Sequence, residues 1–211
     1  MVSAKRSLHG SDVSRIIVAC VMAELLNLLC KWLLCDVAHV PLFMDTIGSV
    51  AITFYAGLLP GVFVALGLNV LQVLFIAAVT GSPVYPWEMA YALCGVAIVC
   101  VTWAFSRTKA NFRMGRVIAV LYLVLIALVS AFASSFIGGM IETVNRLFFD
   151  GIAYSADQLE HFVRALLGEN LGLLASCVIA RIPVTVLDRV FCTFAGFGVY
   201  WLVCHSEGKR P

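Results

Sequence analysis

In a chain that is 62% hydrophobic, the few side chains able to do chemistry stand out by their scarcity. Asp45 sits at the mouth of an apolar stretch, and Trp87, Glu88 and Tyr91 follow a turn-rich loop, Gly81 to Glu88. Glu142, Asn145 and Arg146 are spaced by three and four residues, so they share one face of a helix. Asp188 and Arg189 are adjacent, about 100° apart on a helix, and so cannot serve one spot equally. Ionisable groups inside apolar segments are costly and mark binding or coupling sites by default. These nine residues are therefore the candidate small-molecule contacts, with Trp87 and Tyr91 as stacking surfaces or interfacial anchors. For Glu142, Arg146, Asp188 and Arg189 a structural lock between the last two apolar helices is an equal alternative. Truncating Glu142 or Arg146 is expected to weaken ligand binding and leave the fold intact. Earlier in the chain, Glu24, Asn27 and Lys31 share a stripe on the first helix. Glu24 is expected to point inward, toward Asn27 or Lys31 as donor.

Other chemistries find no residues. The four histidines are scattered without HxxxH or HExxH spacing, so no metal is expected, and no cofactor motif is present. The eight cysteines form no CxxC pair and read as packing residues. A disulfide among Cys30, Cys35 and Cys177 is left open. Neither a nucleophile elbow nor an acid–histidine pair supports an enzyme, and the sequence has no GxxxxGK[ST] for ATP hydrolysis.

The elements that must position the candidates are membrane helices. The chain has 211 residues, only 12% of them charged, and a mean hydropathy of +1.01, values outside the range of soluble domains. The pattern predicts an all-α membrane protein, a single domain over 1–211 with six spans at about 14–34, 43–59, 61–80, 87–106, 117–141 and 183–204. An outer segment, 142–182, carries a short amphipathic helix whose start is Ser155 to Glu160. Spans two and three form a hairpin bent at Pro60-Gly61. Lys5, Arg6, Arg15, Arg107, Lys109, Arg113, Arg116, Lys209 and Arg210 all fall on one face of this topology, and most acids on the other. The positive-inside rule then puts both termini in the cytoplasm. The short basic loops are explained by topology, and no nucleic-acid partner is expected.

Three passages resemble the substrate-binding S component of energy-coupling factor (ECF) transporters and related S-component-like membrane modules. Phe43-Met-Asp45-Thr46-Ile-Gly48, followed by Gly57-Leu-Leu-Pro60-Gly61 and Gly67-Leu-Asn69, is similar to the family's DTIGT…GPxxG…TN hairpin. Here Ser49 stands where Thr is frequent and Leu59 intervenes in the Gly-Pro pair. Ala19-Cys-Val-Met-Ala23 resembles the AxxxA of the family's first helix. Ile182-Pro183-Val-Thr-Val-Leu-Asp188-Arg189 resembles the entry to its last helix, where Lys is commoner than Arg. The resemblance implies six helices in the cytoplasmic (inner) membrane that capture a small, water-soluble, vitamin-like nutrient from the outer side. It implies as partners a membrane coupling subunit and two cytoplasmic ATPase subunits, with Ala19 and Ala23 as the flat surface toward the coupling subunit. A stand-alone sensor module of the same fold is the alternative reading; a membrane enzyme fits less well.

Overall fold

The computed structural model describes residues 10–40, 42–81, 86–107, 112, 115–148 and 157–208. Every regular element among them is helical. Helix α1 (Gly10–Lys31) runs on into a π-helical turn, Trp32–Val37. Helices α2 (Ile47–Ala56) and α3 (Leu58–Thr80) follow. A 3₁₀ turn, Pro86–Tyr91, leads into α4 (Ala92–Ser106). Then come α5 (Arg116–Phe148), the short α6 (Asp157–Gly168) and the long α7 (Leu173–Ser206). Among the described residues three helices are long and apolar enough to cross a membrane: Val13–Leu34, Trp87–Ser106 and Arg116–Phe148. Many of their large apolar side chains point outward, as lipid-facing residues do, among them Ile17, Val21, Leu121, Phe132 and Phe136. Lys5, Arg6, Lys109, Arg113, Lys209, Arg210 and Ser155 lie outside the described residues.

Helix α2 is the hub. Ile47 through Phe54 are all buried, packed by α1, α3, α4 and α7. Its ten residues cover about 15 Å, half a hydrocarbon core. The expected span 43–59 is therefore shortened. The chain before Ile47 is non-helical, with Met44 in the left-handed region at φ 48°, held there by polar contacts to α7. The reversal between α2 and α3 falls at Gly57 rather than at Pro60-Gly61. Gly57 adopts φ 93° and ψ −164°, a conformation open to glycine alone. Pro60 then lies in the first turn of α3, where the missing N–H would have had no helical partner.

Backbone contact holds α1 against α2. A Cβ on Gly48 would stand 2.0 Å from the Ala23 carbonyl oxygen. Asn27, fully buried, completes the joint by accepting from the Gly48 N–H at 2.6 Å and donating to Ser49 Oγ at 2.9 Å.

The last two long helices differ most from expectation. Helix α5 extends through 142–148, and α7 begins at Leu173, running unbroken past Pro183. The anticipated short piece 171–180 and the helix from 183 are one rod of about 50 Å. Proline removes one hydrogen bond, yet membrane helices accommodate it where neighbours hold the segment. Here both flanks are tied: before the proline Cys177 and Ala180 pack under α6 and Arg181 is clamped to α5, and after it Arg189 is bonded to Thr46 and Asp45. Gly139 lets the α5 and α7 backbones touch, since a Cβ there would lie 2.9 Å from Val178 Cα. Helices α2 and α7 run in the same direction: Asp45 and Thr46 meet Arg189, and Phe54 stacks on Tyr200. That end is closed by an aromatic cluster of Phe54, Phe112, Phe197 and Tyr200.

Candidate functional site

Two arginines on one face of α7, two turns apart, each gather a set of acids and hydroxyls. Arg189, 3% exposed, sits beneath the loop that enters α2. Its Nη2 pairs with Asp188 and, at 3.3 Å, with Asp45 Oδ1, and its Nη1 donates to Thr46 Oγ1. Asp188, fully buried, also accepts from the Met44 N–H at 2.7 Å. This last bond fixes the loop so that Asp45 overhangs the guanidinium. Three of the sequence candidates, Asp45, Asp188 and Arg189, are thus brought together. Asp188 and Arg189, adjacent and expected to diverge, instead pair with each other through the long reach of the arginine.

The second set centres on Arg181. Glu142, fully buried, accepts from Arg181 Nη2 at 2.7 Å and Nε at 2.9 Å through one oxygen. Its other oxygen accepts from Arg146 Nη2 at 2.8 Å. Arg146 also binds Glu160 of α6, which pairs with Arg164 at 2.6 Å. Glu160 is held below the usual carboxylate range by the hydrogen bond from Arg146, reinforced by that from Arg164. Tyr91 lies under Arg181, with the guanidinium carbon 5.2 Å from the ring centre, and its hydroxyl accepts from Nη2 at 3.2 Å. Gly138 leaves the space the guanidinium fills: a Cβ there would be 3.0 Å from Arg181 Nη1.

The expected lock between the last two long helices exists, but its α7 partner is Arg181. Neither Asp188 nor Arg189 fills that role. Glu142 and Arg146 do share a face, and Asn145 is buried beside them. Tyr91 stacks on an arginine. Trp87 and Glu88 belong to the 3₁₀ turn that also carries Tyr91; one Glu88 oxygen is buried without a hydrogen bond among the described residues. Both carboxylate oxygens of Glu24 are likewise unbonded there, lying against Gly67 rather than reaching the expected donors. Asn27 spends its amide on α2. The close approach expected of Ala19 and Ala23 is made within the chain: Ala23 is 7% exposed against α2, and Ala19 packs on the same cluster. Ala19 stays partly buried. Cys177 is buried and, like Cys30, a free thiol. Among the described residues no cluster of three metal-ligating side chains occurs.

Arg181, Thr46 and Glu160 are missing from the nine candidates. The signal for Arg181 was present: residues 181, 185, 188 and 192 fall on one face of a helix that continues through Pro183. No protein-family model matches the chain, and no curated protein or solved structure is detectably similar to it.

Proposed function

We propose that this chain is the substrate-binding membrane subunit of an ECF-type importer, capturing a small water-soluble, vitamin-like nutrient from the outer side of the cytoplasmic membrane. The observation that carries the reading is the buried pair Asp188 and Arg189 on α7, each at most 3% exposed in an apolar helix bundle, with the partly open Asp45 beside it. Such groups are costly in a membrane and mark ligand or ion sites. The motif-bearing entry at Asp45 and Thr46 contributes directly to the set, so the stretch that resembles the family is also the one that meets the charges. The shared direction of α2 and α7 agrees with six crossings: α1, the segment around α2, α3, α4, α5 and α7. Both termini are then cytoplasmic, and Asp45 opens toward the outer half.

The importer needs a coupling subunit and two ATPase subunits. The test is affinity purification of the chain from its own membranes in mild detergent, followed by mass spectrometry. Co-purification of a membrane coupling protein with ATPases is the expected result. A folded preparation that brings down no ATPase removes the importer reading; a signalling protein in its place establishes the sensor alternative.

A further inference from the structure

The two arginines are not equally provided for, and the imbalance names a ligand chemistry. Around Arg181, Nε and Nη2 are both taken: Glu142 accepts from each, and the Tyr91 hydroxyl accepts one more bond from Nη2. Around Arg189 the account stays open at two atoms. Its Nε–H is buried with no acceptor among the described residues, although the side chain is only 4% exposed. A buried guanidinium donor left without an acceptor is unfavourable in a folded protein. Beside it, Asp45 uses Oδ1 for Arg189, while Oδ2 accepts nothing from the described residues. Asp45 is also the accessible member, its side chain 23% exposed against 4% for Arg189 and none for Asp188. Formal charge points the same way, since two carboxylates face one guanidinium and leave the set one negative charge in excess.

Resting on the importer reading above, we infer that the captured nutrient carries a protonated nitrogen that donates to Asp45 Oδ2, next to an oxygen or ring nitrogen that accepts from Arg189 Nε–H. The arrangement disfavours a carboxylate. An anionic group would approach Asp45 first, and Arg146, Arg181 and Arg189 all have carboxylate partners already. The pair also gives directionality. The cation is drawn to the exposed acid, and the neighbouring acceptor then aligns on the fixed guanidinium, which Asp188 and Thr46 hold in place.

The experiment uses the full chain and its Asp45→Asn and Asp45→Glu variants, purified in detergent from cells grown in rich medium. Asparagine retains an oxygen for Arg189 and removes the charge. Molecules released on denaturation are sorted by charge and mass. Each preparation is also challenged in a thermal-unfolding assay with histamine and with imidazole-4-acetate, at a pH where imidazole is neutral. The two probes share a ring and an acceptor nitrogen and differ in the sign of the side group. The expected result is a released cation, or stabilisation by histamine alone. Loss of one charge-assisted hydrogen bond weakens binding roughly ten- to hundredfold in Asp45→Asn, with partial retention in Asp45→Glu. A released anion, stabilisation by imidazole-4-acetate, equal behaviour of Asp45→Asn and the natural chain, or no ligand and no shift with either probe overturns the inference. An anionic ligand found together with coupling and ATPase subunits sinks only the charge assignment. Absence of those subunits sinks the importer reading instead.

Discussion

Arg181 and Arg189 lie on one face of one helix, in the same apolar surroundings, yet they are held in opposite ways. Arg181 is gripped from α5 by a carboxylate with no exposure and from below by an aromatic ring. Its partners come from the long helix α5 and from the 3₁₀ turn ahead of α4. Arg189 is gripped by its own neighbour, Asp188, and by a short non-helical loop whose Asp45 is partly open. A buried charge gripped by a fully buried carboxylate and an aromatic ring stabilises one arrangement of helices. A buried charge with an unmatched donor and an open acid has capacity left for something else. The difference separates a fastener from a site, although both looked alike as charges in apolar sequence.

The sharpest way to break this comparison is at Glu142. Glu142→Gln leaves Arg181 and Arg146 facing a neutral amide in a buried place, and breaking such a pair costs about 3–5 kcal/mol. Thermal or denaturant unfolding in detergent should show most of the chain's stability lost. The double variant Glu142→Leu with Arg181→Met, which removes both charges, should recover much of it. If Glu142→Gln unfolds like the natural protein but fails to bind ligand, the roles of the two sets are reversed. The earlier expectation for Glu142, weaker binding with an intact fold, is the outcome the geometry now argues against.

The next effect tests whether the Arg189 set is positioned from α1. The Gly48 backbone rests on Ala23 and is hydrogen-bonded to Asn27, two residues after Thr46. Gly48→Ala must push the two helices apart, at a cost of about 1–3 kcal/mol. The displacement reaches Thr46 and Asp45 and leaves the α5–α7 clamp untouched. Ligand affinity should fall more than the global loss of stability explains; equal affinity at lower stability would show that Asp45 is placed from α7 alone. Asp45→Asn is smaller still as a stability change. The pair is partly exposed, and its removal should cost about 1 kcal/mol or less, against the marked loss expected in binding.

How much of this was legible beforehand follows from where the information resides. Spacing along a helix is local, so the shared face of Glu142 and Arg146, and the amphipathic α6 with Leu159 and Val163 inward, were readable from residue intervals. The apolar character of the chain was readable from composition. Pro183 misled because a proline's local penalty is visible in sequence, whereas the neighbours that absorb it are not. With the helix wrongly begun there, Arg181 was set in a loop, away from the face it shares with Asp188. Pro60-Gly61 misled for the converse reason: it carries the usual signs of a turn, but Pro60 fits a first helical turn, and Gly57 alone takes the backbone angle that reverses the chain. Ala19 and Ala23 announced close packing correctly without saying against which helix. Pairing across distant elements, such as Arg189 with Thr46, depends on the register of whole helices and has no local mark.

The smallest expected effect concerns the far end of the Arg181 set, where α6 is attached. Leu159 and Val163 supply the apolar contact of α6 with Cys177 and Ala180, and Glu160 supplies the polar one through Arg146. Because Glu160 titrates below the usual carboxylate range when docked, its contribution is fully present above that range and is lost as pH falls through the depressed value. Acidification to that point should therefore loosen α6 before it disturbs α5 and α7, whose joining carboxylate is sealed from water. Hydrogen exchange of 157–168, corrected for the intrinsic pH dependence, should rise on acidification, while exchange of 134–146 and 176–192 stays flat. Glu160→Gln should show the faster α6 exchange already at neutral pH, with no further step on acidification. A step that persists in Glu160→Gln would assign the titration to another group; exchange that rises together in α5, α6 and α7 would mean that the fastener and its flap open as one unit, and the division between a rigid Arg181 set and an adjustable one would have to be drawn elsewhere.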